Sequence, residues 1–353
     1  MKVQNRGRKI EIMIPKKIHY CWFGGKPIPE KDQKCIASWK KYCPDYEIIN
    51  MDIYHLKGTE ILHYFYIKEP LFVALAKIVQ AFLGKNYLAF HFVIGMLTMY
   101  FLLLAIWKNS KNIFMSIYLY ISFCLFYVCM NQVRQMLAIS IVLYSFYFMK
   151  RNDFKRYCIW ILIAAMFHNS AIIMLPCYFI CKIKFTDKVL RNYIIVTISL
   201  YIGYGIILQI LSNLPYGTYI TGYDHKSFEL SSILNWIYRL LIFIVVIFFR
   251  KTTIEGDVNN GKLYHLAAIC MVIQTLVLQN NVIARVSTYF YAFFIFLIPE
   301  VMKNLKGSRR KFVMTMGTYL VFMLVHYLYV KLYYQGTLTY QSIFDVNRIS
   351  WYW

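Results

Sequence analysis

"YCIWILIAAMFHNSAIIMLPCYFIC", residues 157–181, is long and apolar enough to cross a bilayer, yet its centre, Phe167-His168-Asn169-Ser170, is polar where a spanning helix should be most apolar. Basic clusters flank it on both sides: Lys150-Arg151 and Lys155-Arg156 before it, and Lys182, Lys184, Lys188 and Arg191 after it. A plain crossing would leave one cluster on the side of the membrane that positive charge avoids. A hairpin that enters, breaks at His168-Asn169-Ser170 and returns removes both conflicts, because irregular backbone at membrane depth is tolerated where protein or water surrounds it. The stretch is therefore read as a broken hairpin in preference to a crossing.

Working outward, the chain has 353 residues, of which 59% are hydrophobic and only 16% charged. That balance excludes a single soluble core and points to an all-α polytopic membrane protein. The formal charge of +23 does not imply nucleic acid, since Lys and Arg lie mainly in short clusters between apolar runs and in the polar N-terminal segment. Roughly nine segments approach the length of about 20 apolar residues that a crossing needs. They cover 87–107, 112–130, 133–149, 157–181, 189–211, 231–249, 263–280, 284–302 and 312–332. The basic clusters, including Arg250-Lys251 and Lys303 to Lys311, would all face the cytoplasm. The loop 212–230 and the tail after 332 would then lie outside, and 71–83 would be an interfacial helix. The expected location is the inner (cytoplasmic) membrane.

Nine cysteines, most of them inside apolar runs, show no paired metal spacing and read as free thiols. No metal and no cofactor is expected. Ionisable groups at membrane depth are costly and mark function by default. Arg134, in "NQVRQMLA", and Arg285, in "QNNVIARVSTYF", fall at predicted outer helix ends, where an orientation signal would be misplaced. A guanidinium grips a diphosphate through a bidentate fork that lysine cannot reproduce; the alternative is snorkelling to the interface, with a structural bond to Gln135 or Asn281. His168 at the hairpin apex could take a proton from a sugar hydroxyl or orient a phosphate. With Asn169 and Ser170 it could equally satisfy backbone freed by the helix break. Asp224, in the loop "NLPYGTYITGYDHKSFELSS", suits a glycan-contacting lid or an ordinary solvated loop. His326 and Glu300 are single signals, read as packing or interfacial groups.

Across "NQVRQMLAISIVLYSFYFMKRNDFKRYCIWILIAAMFHNSAIIMLP" the chain resembles the EpsG family of polysaccharide polymerase-like membrane proteins. The resemblance rests on Arg134-Gln135-Met136-Leu137-Ala138, followed by His168-Asn169-Ser170-Ala171. Glu69-Pro70 and the spaced pair Arg285 and Tyr289 continue it, over roughly 53–353. It implies a role in exopolysaccharide, capsule or O-antigen synthesis, joining undecaprenyl-diphosphate-linked repeat units on the outer side of the membrane. The implied partners are a lipid-linked oligosaccharide, the lipid bilayer and other polysaccharide-assembly proteins. One lipid diphosphate would be the leaving group, and cationic stabilisation of its charge the main protein contribution. On that reading Arg134, His168 and Arg285 are the catalytic candidates, and Asn131, Gln135, Ser170, Tyr289, Asp224 and Glu69 the substrate-binding ones.

The N-terminal "IPKKIHYCWFGGKPIP" resembles instead the start of DXD-containing capsular or mannosyl-type glycosyltransferases. Its residues alone suggest a short α/β piece: Lys17 to Phe23 as strand, Pro29 to Tyr42 as helix with Cys35, Ile36 and Trp39 inward, and Tyr46 to Met51 as second strand. The resemblance implies that His19, Trp22, Phe23 and Gly24 are vestiges of a nucleotide-sugar site. It stops near Asp52, whereas a transferase domain needs on the order of 100–200 residues. The organisation expected is an extension over 1–12 ahead of Met13, a truncated transferase-like fragment over 13–52, a junction over 53–86 and a transmembrane domain over 87–353. Polymerase activity is the leading reading; a nucleotide-sugar transferase, or a flippase-like or scaffolding component without catalysis, are the alternatives.

Overall fold

The computed structural model describes residues 17–20, 30–50, 69–84, 87–206, 209, 230–280 and 283–333. It divides into two compact units, residues 1–93 and 94–353. In the first, β1 (Lys17–Tyr20) pairs in parallel with β2 (Glu47–Asn50), His19 opposite Ile49, and α1 (Glu30–Tyr42) connects them. These elements fall within the expected strand, helix and strand segments, with residues 21–23 and 51 outside the described residues, but the inward face differs. Cys35 is exposed, and α1 has no buried residue. A helix this rich in Lys presents no apolar stripe wide enough to cover a sheet. The same unit contains α2 (Pro70–Leu83), which buries Val73, Ala76 and Val79 along one side. Glu69 precedes it in a left-handed conformation, and its carbonyl accepts from the N–H groups of Phe72 and Val73.

The second unit is helical throughout its described part. After α3 (Tyr87–Asn109) come α4 (Ile113–Ser122), α5 (Leu125–Asn131), α6 (Val133–Lys150) and α7 (Phe154–Phe167). A 3-10 turn (Asn169–Ile173) leads into α8 (Met174–Ile180), followed by α9 (Asp187–Ile202). The remainder is α10 (Leu230–Phe248), α11 (Arg250–Gly256), α12 (Asn260–Val277), α13 (Ala284–Tyr291), α14 (Phe294–Asn304) and α15 (Ser308–Tyr333). Helices apolar all round belong inside a bundle. So it is here: α6, α12 and α14 are buried along almost their whole length, whereas α9, α10 and α15 expose rows of Ile, Leu, Val and Phe. Phe146 of α6 packs 5.4 Å from Phe293 and 6.3 Å from Phe296, which joins the central helices.

Three described helices are long and apolar enough to cross a membrane, 88–109, 284–304 and 308–331. Counting each bent pair as one span raises the number to five, fewer than the nine segments expected. The bent pairs are α4–α5, at 57°, and α10–α11, at 58°. No proline or glycine marks the first break. Cys124 makes it by adopting φ 59, a left-handed conformation that an L-residue holds only at some energetic expense. The expected segment 189–211 leaves α9 at Ile202, and part of it lies outside the described residues.

Residues 157–181 do form a broken hairpin. Phe154 at its entry lies 4.9 Å from Tyr178 and 5.2 Å from Phe179 at its exit. Tyr157 donates to the Met174 carbonyl at 2.5 Å, and Tyr178 to the Asn152 carbonyl at 2.6 Å. At about 1.5 Å rise per residue, the 14 residues of α7 fall short of the bilayer core.

Contacts collect the basic clusters at one end of this bundle. Lys108 and Arg151 both lie over the Tyr147 ring, at 5.7 and 4.2 Å, and Lys182 lies 4.8 Å over Tyr178. Arg250 bonds Asp187 and thereby holds that exposed carboxyl below its usual range, and Arg310 lies 5.4 Å over Phe249. Buried Lys262 donates to the carbonyls of Met149 (2.7 Å) and Lys150 (3.2 Å) and to Asn152 Oδ1 (2.9 Å), so an ammonium from the start of α12 caps the C-terminus of α6. The His265 ring is held by the Tyr193 hydroxyl and the Ile183 carbonyl, each at 2.8 Å. Because a carbonyl only accepts, Nε2 carries the proton and Nδ1 accepts from tyrosine.

Candidate functional site

The opposite end holds the start of α6, the hairpin apex and the start of α13. Gln135, buried in the first turn of α6, donates from Nε2 to the Arg285 carbonyl at 2.5 Å. Ser170 donates to the Tyr289 hydroxyl at 3.2 Å, and Tyr289 is fully buried. Arg285 and Tyr289 are four residues apart on α13 and share a face, so the two bonds clasp two separate segments, the start of α6 and the hairpin apex, onto one helix. Ala138 and Ala171 are each 0% exposed. Their small side chains let α6 and the apex approach closely, much as small residues do at membrane helix interfaces.

The two bonds bring together Gln135, Ser170, Arg285 and Tyr289, with Arg134 next to Gln135 and His168 two residues from Ser170 in sequence. Arg134 and Arg285 are both exposed at this end; Arg134 directly precedes Gln135, and Arg285 accepts the Gln135 bond through its own carbonyl. His168 ends α7 in an extended conformation with its ring half-buried, and its N–H bonds the Ala164 carbonyl. Asn131 is exposed at the end of α5, three residues before Arg134. Glu69 belongs to the other compact unit. Asp224, Trp22, Phe23 and Gly24 lie outside the described residues, and His19 is placed only as a strand residue of β1. Of the single signals, Glu300 is buried and accepts from Asn260 Nδ2 at 3.3 Å, while His326 Nδ1 lies 3.7 Å from Cys124 Sγ. Among the described residues no group of three His, Cys, Asp or Glu side chains is placed to hold a metal ion.

A second polar cluster escaped the sequence reading. Arg239, midway along α10, donates from Nη1 to Gln274 Oε1 (2.5 Å) and Ser287 Oγ (2.8 Å), and its Cζ lies 4.2 Å from the centre of the Tyr291 ring. Ser287 also donates to Gln274 Oε1 at 2.8 Å, and Trp236 Nε1 to Thr275 Oγ1 at 3.0 Å. The lone Arg in "NWIYRLLIFIV" was the available signal, masked by its position in an ordinary apolar run.

Such a bundle, with apolar helices outside, a polar clasp at one end and basic clusters at the other, defines a helical membrane protein with a hairpin that returns to the end it entered from. Residues 37–342 match the EpsG family, and the chain belongs to that family. Membership points to a membrane polysaccharide-polymerase-like role. The match starts inside α1, and nothing supports the transferase-like reading of 13–52. No curated protein and no solved structure matches the chain.

Proposed function

We propose that this protein polymerises polysaccharide repeat units carried on undecaprenyl diphosphate, for exopolysaccharide, capsule or O-antigen, at the outer face of the inner membrane. The supporting observation is the clasp. Gln135 to Arg285 and Ser170 to Tyr289 hold two exposed guanidiniums and the His168 apex at the end of the bundle away from the basic clusters. By the charge rule, the basic end faces the cytoplasm and the clasp faces outward. The segments left short by the hairpin and the bends make a multi-pass bundle around the buried helices, with α2 along the interface.

In the reaction, a hydroxyl oxygen of the acceptor sugar attacks the anomeric carbon of the donor unit. The bond from that carbon to the diphosphate oxygen breaks, and its electron pair leaves with the undecaprenyl diphosphate. Arg134 and Arg285 stabilise the charge that develops there, and His168 takes the hydroxyl proton. Asn131 and Ser170 contact the substrate, Gln135 and Tyr289 hold the clasp in place, and an assembly partner delivers the lipid-linked oligosaccharide. The deciding experiment replaces Arg134 and Arg285 by Gln and by Lys in cells and measures polymer length at matched protein levels. Gln at either position should cut chain extension by about 100-fold, and Lys should restore only part of it. Full-length polymer from the double Gln variant would refute the assignment and favour a scaffolding role.

A further inference from the structure

α13 carries polar groups on two faces. Arg285 and Tyr289 share the face that meets Gln135 and Ser170. Ser287 and Tyr291 are offset from them by two residues, about 200° around an α-helix, and meet Arg239 of α10 instead. Among the described residues every partner of Arg239 is neutral. Among the described residues no carboxylate faces it, and its Nε is buried without a hydrogen-bond partner. The Tyr291 ring attracts the cation but supplies no counter-charge.

A link between helices needs only a neutral donor, and Gln274 with Ser287 already provides one. A permanent cation with an unused N–H in an apolar helix is expensive unless an anion completes it. The depth is also suitable. Gln274 lies three residues before the end of α12 at Val277, and Ser287 three after the start of α13 at Ala284, so the guanidinium sits about one turn from the end that bears Arg134 and Arg285.

We propose that Arg239 forms a second anion site, taking the phosphoryl head of an isoprenoid-diphosphate-linked sugar and separated by α13 from the Arg134 and Arg285 site. The inference rests on the polymerase reading. Joining two lipid-linked units holds two carriers at once, one whose diphosphate leaves and one whose diphosphate stays, and opposite faces of one helix keep two anions apart.

The test titrates the full chain in lipid nanodiscs with farnesyl diphosphate, using farnesol as the uncharged control. Wild type should bind two equivalents and farnesol none. Arg239→Gln should weaken one of the two by about tenfold or more, Arg239→Lys should weaken it less, and the double variant Arg134→Gln with Arg285→Gln should keep the Arg239 equivalent. Should the Gln variant fail to elute as a single species, the Lys variant and competition by inorganic pyrophosphate carry the same comparison. Unchanged binding of both equivalents in the Arg239 variants would overturn the second site. A single equivalent, lost only in the double variant, would overturn it while sparing the first site. Binding unaffected in every variant would overturn both.

Discussion

Replacing Lys262 by Met tests whether the base of the hairpin depends on a helix cap supplied from α12. Methionine keeps the apolar stem of lysine and removes the ammonium, so packing changes little. Three acceptors lose that donor: the Met149 and Lys150 carbonyls and Asn152 Oδ1. The loss is unequal, because the Met149 carbonyl also accepts from the Asn152 N–H at 3.1 Å. The Lys150 carbonyl and Asn152 Oδ1 therefore carry most of the penalty, at about 1–2 kcal/mol each, and dropping a desolvated ammonium returns part of it, for a net loss of about 2 kcal/mol. Asn152 in turn accepts from Tyr178, and buried Cys181 lies against the Lys262 carbonyl at 3.7 Å, so the loosened segment includes the hairpin exit. If Cys181 reacts through local opening, a loss of that size raises its maleimide labelling rate about 30-fold, as read by peptide mass spectrometry on the purified protein. Lys262→Gln, which keeps a donor without charge, should fall between. Labelling of Cys181 at the wild-type rate in Lys262→Met would show that the hairpin is held by apolar packing alone.

Three further outcomes are expected. His168→Ala should slow polymer extension by about 100-fold or more at unchanged protein level, measured as chain length on gels; full-length polymer would remove His168 from proton transfer. Gly256→Ala would drive a methyl into the Asn304 side-chain amide and displace the Asn304 donation to the Glu300 carbonyl at 2.8 Å. It should lower thermal stability by about 1 kcal/mol, and adding Asn304→Ala should recover most of the steric part. Asp187 has its carboxyl held low by Arg250, so the pair stabilises the fold above the ordinary carboxylate range and that contribution disappears as pH falls through the lowered value. The melting temperatures of wild type and Asp187→Asn should therefore differ at neutral pH and converge in acid.

The hairpin was legible because two independent constraints, polar residues at mid-depth and basic clusters on both flanks, had one common solution. The short strands and helix of 17–50 fall inside segments legible in the sequence, but the parallel pairing of β1 with β2 and the face of α1 were not, since a helix with no buried residue has no stripe to read. The bends resisted for a different reason. Cys124 at φ 59 has no local signal, since any residue held by enough surrounding structure can be forced there. Lys262 was overlooked because it opens a predicted segment, where a lysine reads as an orientation charge until the α6 terminus is seen against it.

The order of the motifs along the chain could be read without knowing why they travel together. Gln135 and Ser170 lie 35 positions apart, and their partners Arg285 and Tyr289 more than a hundred further on, yet one face of α13 receives both. A sequence records the residues of such a clasp, but which ends of which helices coincide depends on how many segments cross and how many turn back. One misassigned hairpin inverts every later segment, and Arg134 and Arg285 would then belong to opposite surfaces. On the proposed function, the broken hairpin at 157–181 is thus what lets Arg134 and Arg285, from distant parts of the chain, act on one anion, and its polar apex brings Ser170 to Tyr289 of α13. An unbroken, wholly apolar helix in that place would be better suited to lipid but would carry the chain to the other side, separating the charges that the proposed chemistry requires.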